Sequence, residues 1–269
     1  VVDVDFFNPI TNNLQFSWSA ATSLINSVNK KSLTDINGPT VYADSLGRIK
    51  NFIKTSSQYT DCGTGSDVDF TNKSITVFLR YKISTTGSGV GHSLFSKDDN
   101  TGGRSYTLEN FYYTGTPSRS GTRFYANGGG TLGTNEIAEG RTPVAGDVRT
   151  CCVVYSPANN RAEVWVEGVL VNSTTCSTAI PTSTTSARLG SRSYVGYQDY
   201  LNGGLSFVHA FGRPLSHAEI KELFNNPWQI FKPKKRVIYF DVSSPSFPVL
   251  SSLAVSNITS SGGRLTAST

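Results

Sequence analysis

Four residues in one short stretch, Tyr194, Tyr197, Asp199 and Tyr200, carry the side chains that a sugar-binding or partner-binding surface uses. A tyrosine ring offers a flat apolar face with a polar tip, and a nearby carboxylate adds hydrogen-bond acceptors. Packing of the same rings across the mouth of the fold is the structural alternative. A second set, Asp98-Asp99-Asn100 ahead of Gly102-Gly103, supplies hard oxygen ligands of the kind Ca2+ takes, and reads equally well as an Asx turn. Calcium is therefore an optional ligand, and no cofactor is required.

Other chemistry-bearing types do not assemble. His92, His209 and His217 stand in no metal-ligand spacing and beside no nucleophile motif. The glycine runs at 87–91 and 128–130 lack the Gly-Lys-Ser/Thr ending of a phosphate loop. Cys62, Cys151, Cys152 and Cys176 show no CxxC spacing. The adjacent pair would point to opposite faces of a strand, so buried free thiols are expected, with a single bridge, Cys62–Cys176 or a similar pairing, as the other reading. A net charge of +5 is spread along the chain except at 232–236, which argues against nucleic acid as a partner. No apolar run approaches the roughly 18 residues of a membrane span, so neither a membrane nor a signal peptide enters the reading. The chain opens Val1-Val2-Asp3 without an initiator Met, which leads us to expect a processed or partial product.

The elements that must position these residues are strands. The chain has 25 Gly, no Met and only 16% charged residues, which favours strands and turns. The segment Ile75-Thr-Val-Phe-Leu-Arg-Tyr-Lys-Ile83 alternates cleanly, with 75, 77, 79, 81 and 83 on one face and Arg80 and Lys82 opposite, and should be a central core strand. Leu14-Gln-Phe-Ser-Trp18 alternates in the same way. Further strands are expected at 93–97, 105–112, 123–126, 150–155, 162–166 and 169–171, the last two joined by a tight Glu167-Gly168 hairpin. An apolar run at 205–211 leads into the one confident helix. Ser216 is its N-cap, Glu219 closes a capping box, Leu215 and Ile220 form a staple, and Asn225-Asn226-Pro227 ends it. The expected fold is all-β, a two-sheet antiparallel jelly-roll sandwich with one short C-terminal helix. Residues 1–242 form the domain, with 1–12 as a candidate attachment arm. Residues 243–249 read as a linker, and 250–269 as the start of a second small β domain of immunoglobulin or fibronectin type.

The order of these pieces resembles the laminin G-like branch of the concanavalin A-like lectin/glucanase jelly rolls. The matching stretches are 75–83, Leu94-Phe-Ser-Lys-Asp98, Val164-Trp-Val-Glu-Gly-Val-Leu-Val171, Leu189-Gly190 and 203–224, the last with Arg-Pro-Leu-Ser-x-Ala-Glu-Ile as its most specific motif. The chain departs from the pattern at Asp147-Val-Arg-Thr150, where members usually carry Trp ahead of the strand. The resemblance implies rim loops that bind glycans or calcium, by analogy alone. Because related folds include retaining glucanases, Glu163 and Glu167 form a candidate carboxylate pair. Four residues of strand separate their Cα atoms by roughly 13 Å, against about 5 Å between the carboxyl groups of a retaining pair, so surface glutamates are the better reading.

The segment Asn226-Pro-Trp-Gln-Ile-Phe231, followed by Lys-Pro-Lys-Lys-Arg, is similar to a closing segment of laminin G-like proteins in tailed phages and their hosts. From it we expect a non-enzymatic phage virion structural protein: a decoration, fibre or tail component on the virion surface, assembled in the host cytoplasm. It would be oligomeric among other virion proteins and in contact with host-surface glycan. The alternative is a glycan-binding module of a secreted or surface bacterial protein, and a glycoside hydrolase ranks third.

Overall fold

The computed structural model describes residues 3–20, 24–44, 47–86, 90–98, 104–112, 119–127, 134–192 and 199–232. The end of the expected domain at 233–242, which reads as a last strand over 237–242, the linker at 243–249 and the second domain at 250–269 lie outside the described residues. In chain order the strands are β1 (Leu14–Ser19), β2 (Thr34–Ile36), β3 (Thr40–Asp44), β4 (Gly47–Phe52), β5 (Tyr59–Gly63), β6 (Ile75–Ile83), β7 (Val90–Lys97) and β8 (Tyr106–Tyr112). They continue with β9 (Gly121–Ala126), β10 (Glu136–Ala138), β11 (Val148–Ser156), β12 (Arg161–Val166), β13 (Val169–Thr174), β14 (Ala187–Leu189) and β15 (Gly203–Phe211), and helix α1 (His217–Asn225) follows. They build two antiparallel sheets. The eight-stranded sheet runs β13-β12-β11-β6-β15-β4-β3 with β1 added alongside β15, and the seven-stranded sheet runs β10-β9-β8-β7-β14-β5-β2.

The alternation of β6 explains the layering. Ile75, Val77, Leu79, Tyr81 and Ile83 enter the core between the sheets, where they meet Phe16, Trp18, Phe95, Tyr106, Leu108 and Phe124. Phe78 points the other way, into a second apolar layer with Cys152, Val154, Trp165, Phe207 and Phe211. Period two also splits the adjacent cysteines, Cys151 into the first layer and Cys152 into the second. All four thiols are free and buried, and burial pushes the Cys151 thiol up to about 12, which suits inert core residues. The β12–β13 turn has the two consecutive positive φ values of a type I′ hairpin, 48° at Glu167 and 80° at Gly168.

The second layer seals the outer face of the eight-stranded sheet. A nine-residue helix is marginal in isolation, and α1 is held by docking. Ile220, Leu223 and the staple residue Leu215 are fully buried in this layer, and Phe224 meets Phe78 edge-on at 5.1 Å. Ser216 Oγ accepts from the Glu219 amide at 3.3 Å, Glu219 Oε2 accepts from the Ser216 amide at 2.8 Å, and Arg213 donates to the same carboxylate at 3.0 Å. Glu163 anchors the first turn from below. It accepts from Arg161, from Trp165 Nε1 at 2.8 Å and contacts His217 Nε2 at 2.9 Å, and these bonds outweigh its burial and draw its carboxyl down to about 2. Ser216→Ala should cost about 1 kcal/mol, a drop of about 2–4 °C in a domain of this size, readable by thermal melting.

The segment read as an attachment arm is built into this layer over residues 3–12. The Asp5 amide donates to the Ile230 carbonyl at 2.8 Å and the Lys232 amide to the Asp3 carbonyl at 2.9 Å, while Val4 and Ile10 are buried beside Ile230 and Phe231. The 226–231 segment therefore closes the domain by pairing with its beginning. Phe7 and Trp228 leave large apolar surface exposed there, 91% and 48%. Among the described residues no helix is long and apolar enough to cross a membrane.

Candidate functional site

Among the described residues, helix α1, residues 3–12 and residues 226–231 cover the outer face of the eight-stranded sheet, while the outer face of the seven-stranded sheet carries polar and charged side chains. In β8, Tyr106 and Leu108 turn inward, which sends Thr107, Glu109 and Phe111 outward. In β9, Phe124 and Ala126 turn inward and send Arg123 and Tyr125 outward. Antiparallel register sets Glu109 opposite Arg123 and Tyr125 opposite Glu136 of β10. The result is a lattice of charge across three strands. Arg123 Nε donates to Glu109 Oε1 at 2.8 Å, Arg123 reaches Glu136 at 3.5 Å, and Arg119 reaches Glu136 at 3.3 Å. The Arg123 guanidinium lies 4.2 Å over the Phe111 ring and 5.1 Å from that of Tyr125.

Arg192, just after β14, ties this lattice to the rest of the face. It pairs with Asp199 at 2.8 Å, lies 3.9 Å from Asp98 and donates to the Tyr125 hydroxyl. Burial and the neighbouring Glu109 carboxylate raise the Asp199 carboxyl to about 6 in spite of Arg192. Arg192 itself is held firmly cationic, because Tyr125 and several acids share it. The carboxylates form the floor, with Glu109 and Glu136 fully buried, and the guanidinium groups and Phe111 form the partly exposed upper layer. Such a surface is rigid, because each ring and fork is fixed by a partner, and it presents planar groups outward.

The structure thus brings together two residues that the sequence assigns to different sites. Asp98 and Asp199 converge on Arg192. Tyr200 is buried, with its ring 6.4 Å from that of Tyr59 on β5. Tyr194, Tyr197, Asp99 and Asn100 lie outside the described residues. The Asp98 carboxylate accepts from Thr107 Oγ1 at 3.3 Å and faces a guanidinium, an arrangement that serves an ion pair and opposes a divalent cation. Among the described residues no group of three or more His, Cys, Asp and Glu side chains is placed to hold a metal ion.

Glu163 and Glu167 are both spoken for: the first anchors α1, and the second accepts from the Thr150 amide at 2.7 Å at the hairpin. A groove of about 400 Å3 beside α1 is lined by Thr150, Glu167, Gly168, Lys221, Phe224 and Asn225, and it gathers no second carboxylate against Glu167. The residues that the sequence left unremarked are Glu109, Phe111, Arg123, Tyr125, Glu136 and Arg192. Their one sequence signal is the alternation of 106–111 and 122–126, which marks an outward face without saying that its charges meet.

Comparison with known proteins adds a family and several folds. A laminin G profile of the concanavalin A-like lectin/glucanases superfamily matches residues 55–221. Curated protein sequences yield no match. Domain 4 of AbnA, an extracellular arabinanase from Geobacillus stearothermophilus solved with arabinotriose, superposes with a TM-score of 0.58 at 14% identity, over 78% of this chain and 98% of that one. The binding domain of Paraclostridial Mosquitocidal Protein 1 gives a TM-score of 0.60 at 12% identity over 81% of this chain. A botulinum neurotoxin type C structure, described with cell entry that depends on two ganglioside molecules, gives 0.54 at 10% identity over 81%. The chain spans about half the length of these two toxin chains, 53% and 52%. Identities this low establish a shared fold.

Proposed function

This chain belongs to the concanavalin A-like lectin/glucanase superfamily, and from that premise we propose that it is a glycan-binding module whose contact surface is the outer face of the seven-stranded sheet. The observation that carries the reading is the asymmetry of the two faces. Among the described residues, helix α1, residues 3–12 and residues 226–231 cover one sheet, while the other carries the partly exposed ring of Phe111 and the partly exposed guanidinium groups of Arg123 and Arg192. Flat rings meet the apolar faces of sugars, and oriented donors meet their hydroxyls. The arabinanase domain solved with arabinotriose and the ganglioside-dependent toxin support saccharide as the ligand class.

Binding without hydrolysis is the assignment. The carboxylates of the charge lattice, Asp98, Glu109, Glu136 and Asp199, each sit within ion-pair distance of a guanidinium, which suits structure more than proton transfer to a glycosidic oxygen. A glycan array tests the reading. The wild-type chain should retain at least one oligosaccharide, Phe111→Ala should weaken it about tenfold, equivalent to about 1.4 kcal/mol, and Trp228→Ala on the opposite side should leave it unchanged. An array blank for the wild type would refute it. Display on a virion surface beside other virion proteins is the setting we infer from the resemblance of residues 226–231, and it calls for the chain in stoichiometric amount in purified particles.

A further inference from the structure

We propose that Arg188 forms a subsite for a carboxylate-bearing sugar at the β5–β14 side of the same face, an inference that rests on the glycan-binding reading and names its ligand class. Ala187 and Leu189 turn into the core, so Arg188 between them turns outward. Its guanidinium lies 4.4 Å over the Tyr59 ring, and Tyr59 in turn packs against Tyr200. What sets Arg188 apart is its lack of an acid. Arg119, Arg123 and Arg192 each engage carboxylates, whereas the Arg188 side chain makes no hydrogen bond or ion pair among the described residues, and its Nε is buried without a partner.

The nearest acid by register is Asp61, directly across from Arg188 on β5, and its carboxylate is turned to its own loop, accepting from the Gly63 amide at 2.6 Å. The Nε is out of reach of solvent, so an incoming acceptor would meet the terminal Nη groups, which no acceptor among the described residues occupies. The planar fork, held flat on an aromatic ring, matches a carboxylate through two parallel hydrogen bonds. Arg188 and Tyr59 are both partly exposed, so a sugar can reach them.

Two matched pairs of ligands test the proposal by titration calorimetry: trigalacturonate against its methyl ester, and sialyllactose against lactose. The wild type should bind one carboxylated member at least tenfold tighter than its neutral counterpart. Arg188→Gln should abolish that preference while retaining the Phe111-dependent affinity for neutral sugar, and Arg188→Lys should restore only part of it. Since the Arg188 side chain makes no hydrogen bond or ion pair among the described residues, the Gln variant should melt within about 2–4 °C of the wild type, losing only its contact with the Tyr59 ring. Equal binding of the acid and neutral forms, a preference that survives Arg188→Gln, or a preference confined to sulfated oligosaccharides would each overturn the subsite and leave the glycan-binding reading standing. No binding of any glycan would overturn both.

Discussion

Gly203→Ala is expected to lower the melting temperature by about 6–12 °C, equivalent to about 3 kcal/mol in a domain of this size. Gly203 opens β15 and is clasped on both sides, opposite Phe52 of β4 and Ile83 of β6. A Cβ at this position would lie 2.0 Å from the Lys82 carbonyl oxygen, and the residue already has a φ of 156°. A backbone carbonyl in the middle of a sheet can move only by breaking ladder bonds, so the clash has no inexpensive relief. Gly204 is the natural comparison. Its Cβ would meet the Ile49 Cγ2 methyl at 2.1 Å, with the Lys50 carbonyl oxygen at 3.3 Å; relief needs a χ1 change in a buried, β-branched residue but breaks no ladder bond, so Gly204→Ala should cost less than Gly203→Ala. Thermal melts of the two variants check this, and a Gly203→Ala variant within 2 °C of wild type would show that the β4–β15–β6 clasp is looser than described.

Arg192→Gln should destabilise the domain by about 3 kcal/mol near neutral pH, the low end for breaking a buried ion pair because the guanidinium retains some exposure. The loss should shrink as the solution is acidified. Asp199 has a folded-state pKa raised above its ordinary 3.8, so its contribution to stability is fully present below that value and is lost as pH rises through about 6. Removing Arg192 takes away the strongest influence that favours the charged form and pushes Asp199 higher still. Ionised Asp199 is then a largely buried charge with no cation at ion-pair distance among the described residues at pH 7.5, and protonated Asp199 needs none at pH 5. Urea unfolding at both values measures the difference, and Arg192→Gln combined with Asp199→Asn should recover part of the loss at pH 7.5. An equal loss at both pH values would mean that Asp199 is not the group Arg192 supports.

Local physics made much of this fold legible. The β6 segment and Leu14-Gln-Phe-Ser-Trp18 alternate with period two because each has one face in the central core, and the helix is written in Ser216, Glu219 and the Leu215–Ile220 staple. The split of Cys151 and Cys152 follows from the same period. The short strands β2, β10 and β14 escape such reading, because three residues carry no period, and β10 and β14 exist through pairing with β9, β7 and β5.

The site was less legible for the same reason. Glu109 and Arg123 are ordinary outward-facing charges until antiparallel register sets them opposite each other, and Arg192 is a loop residue until Asp98 and Asp199 arrive from separate parts of the chain. Composition identified Asp98 and Asp199 as chemistry-bearing and assigned them separate tasks, calcium and sugar. What joins them is a cation that carries no motif.

The claim that matters most is that saccharide meets the seven-stranded sheet. Amide chemical-shift mapping with an oligosaccharide retained on the array addresses it directly. The shifts should concentrate at Phe111, Arg123, Tyr125 and Arg188, and shifts confined to α1, Trp228 and residues 3–12 would contradict it.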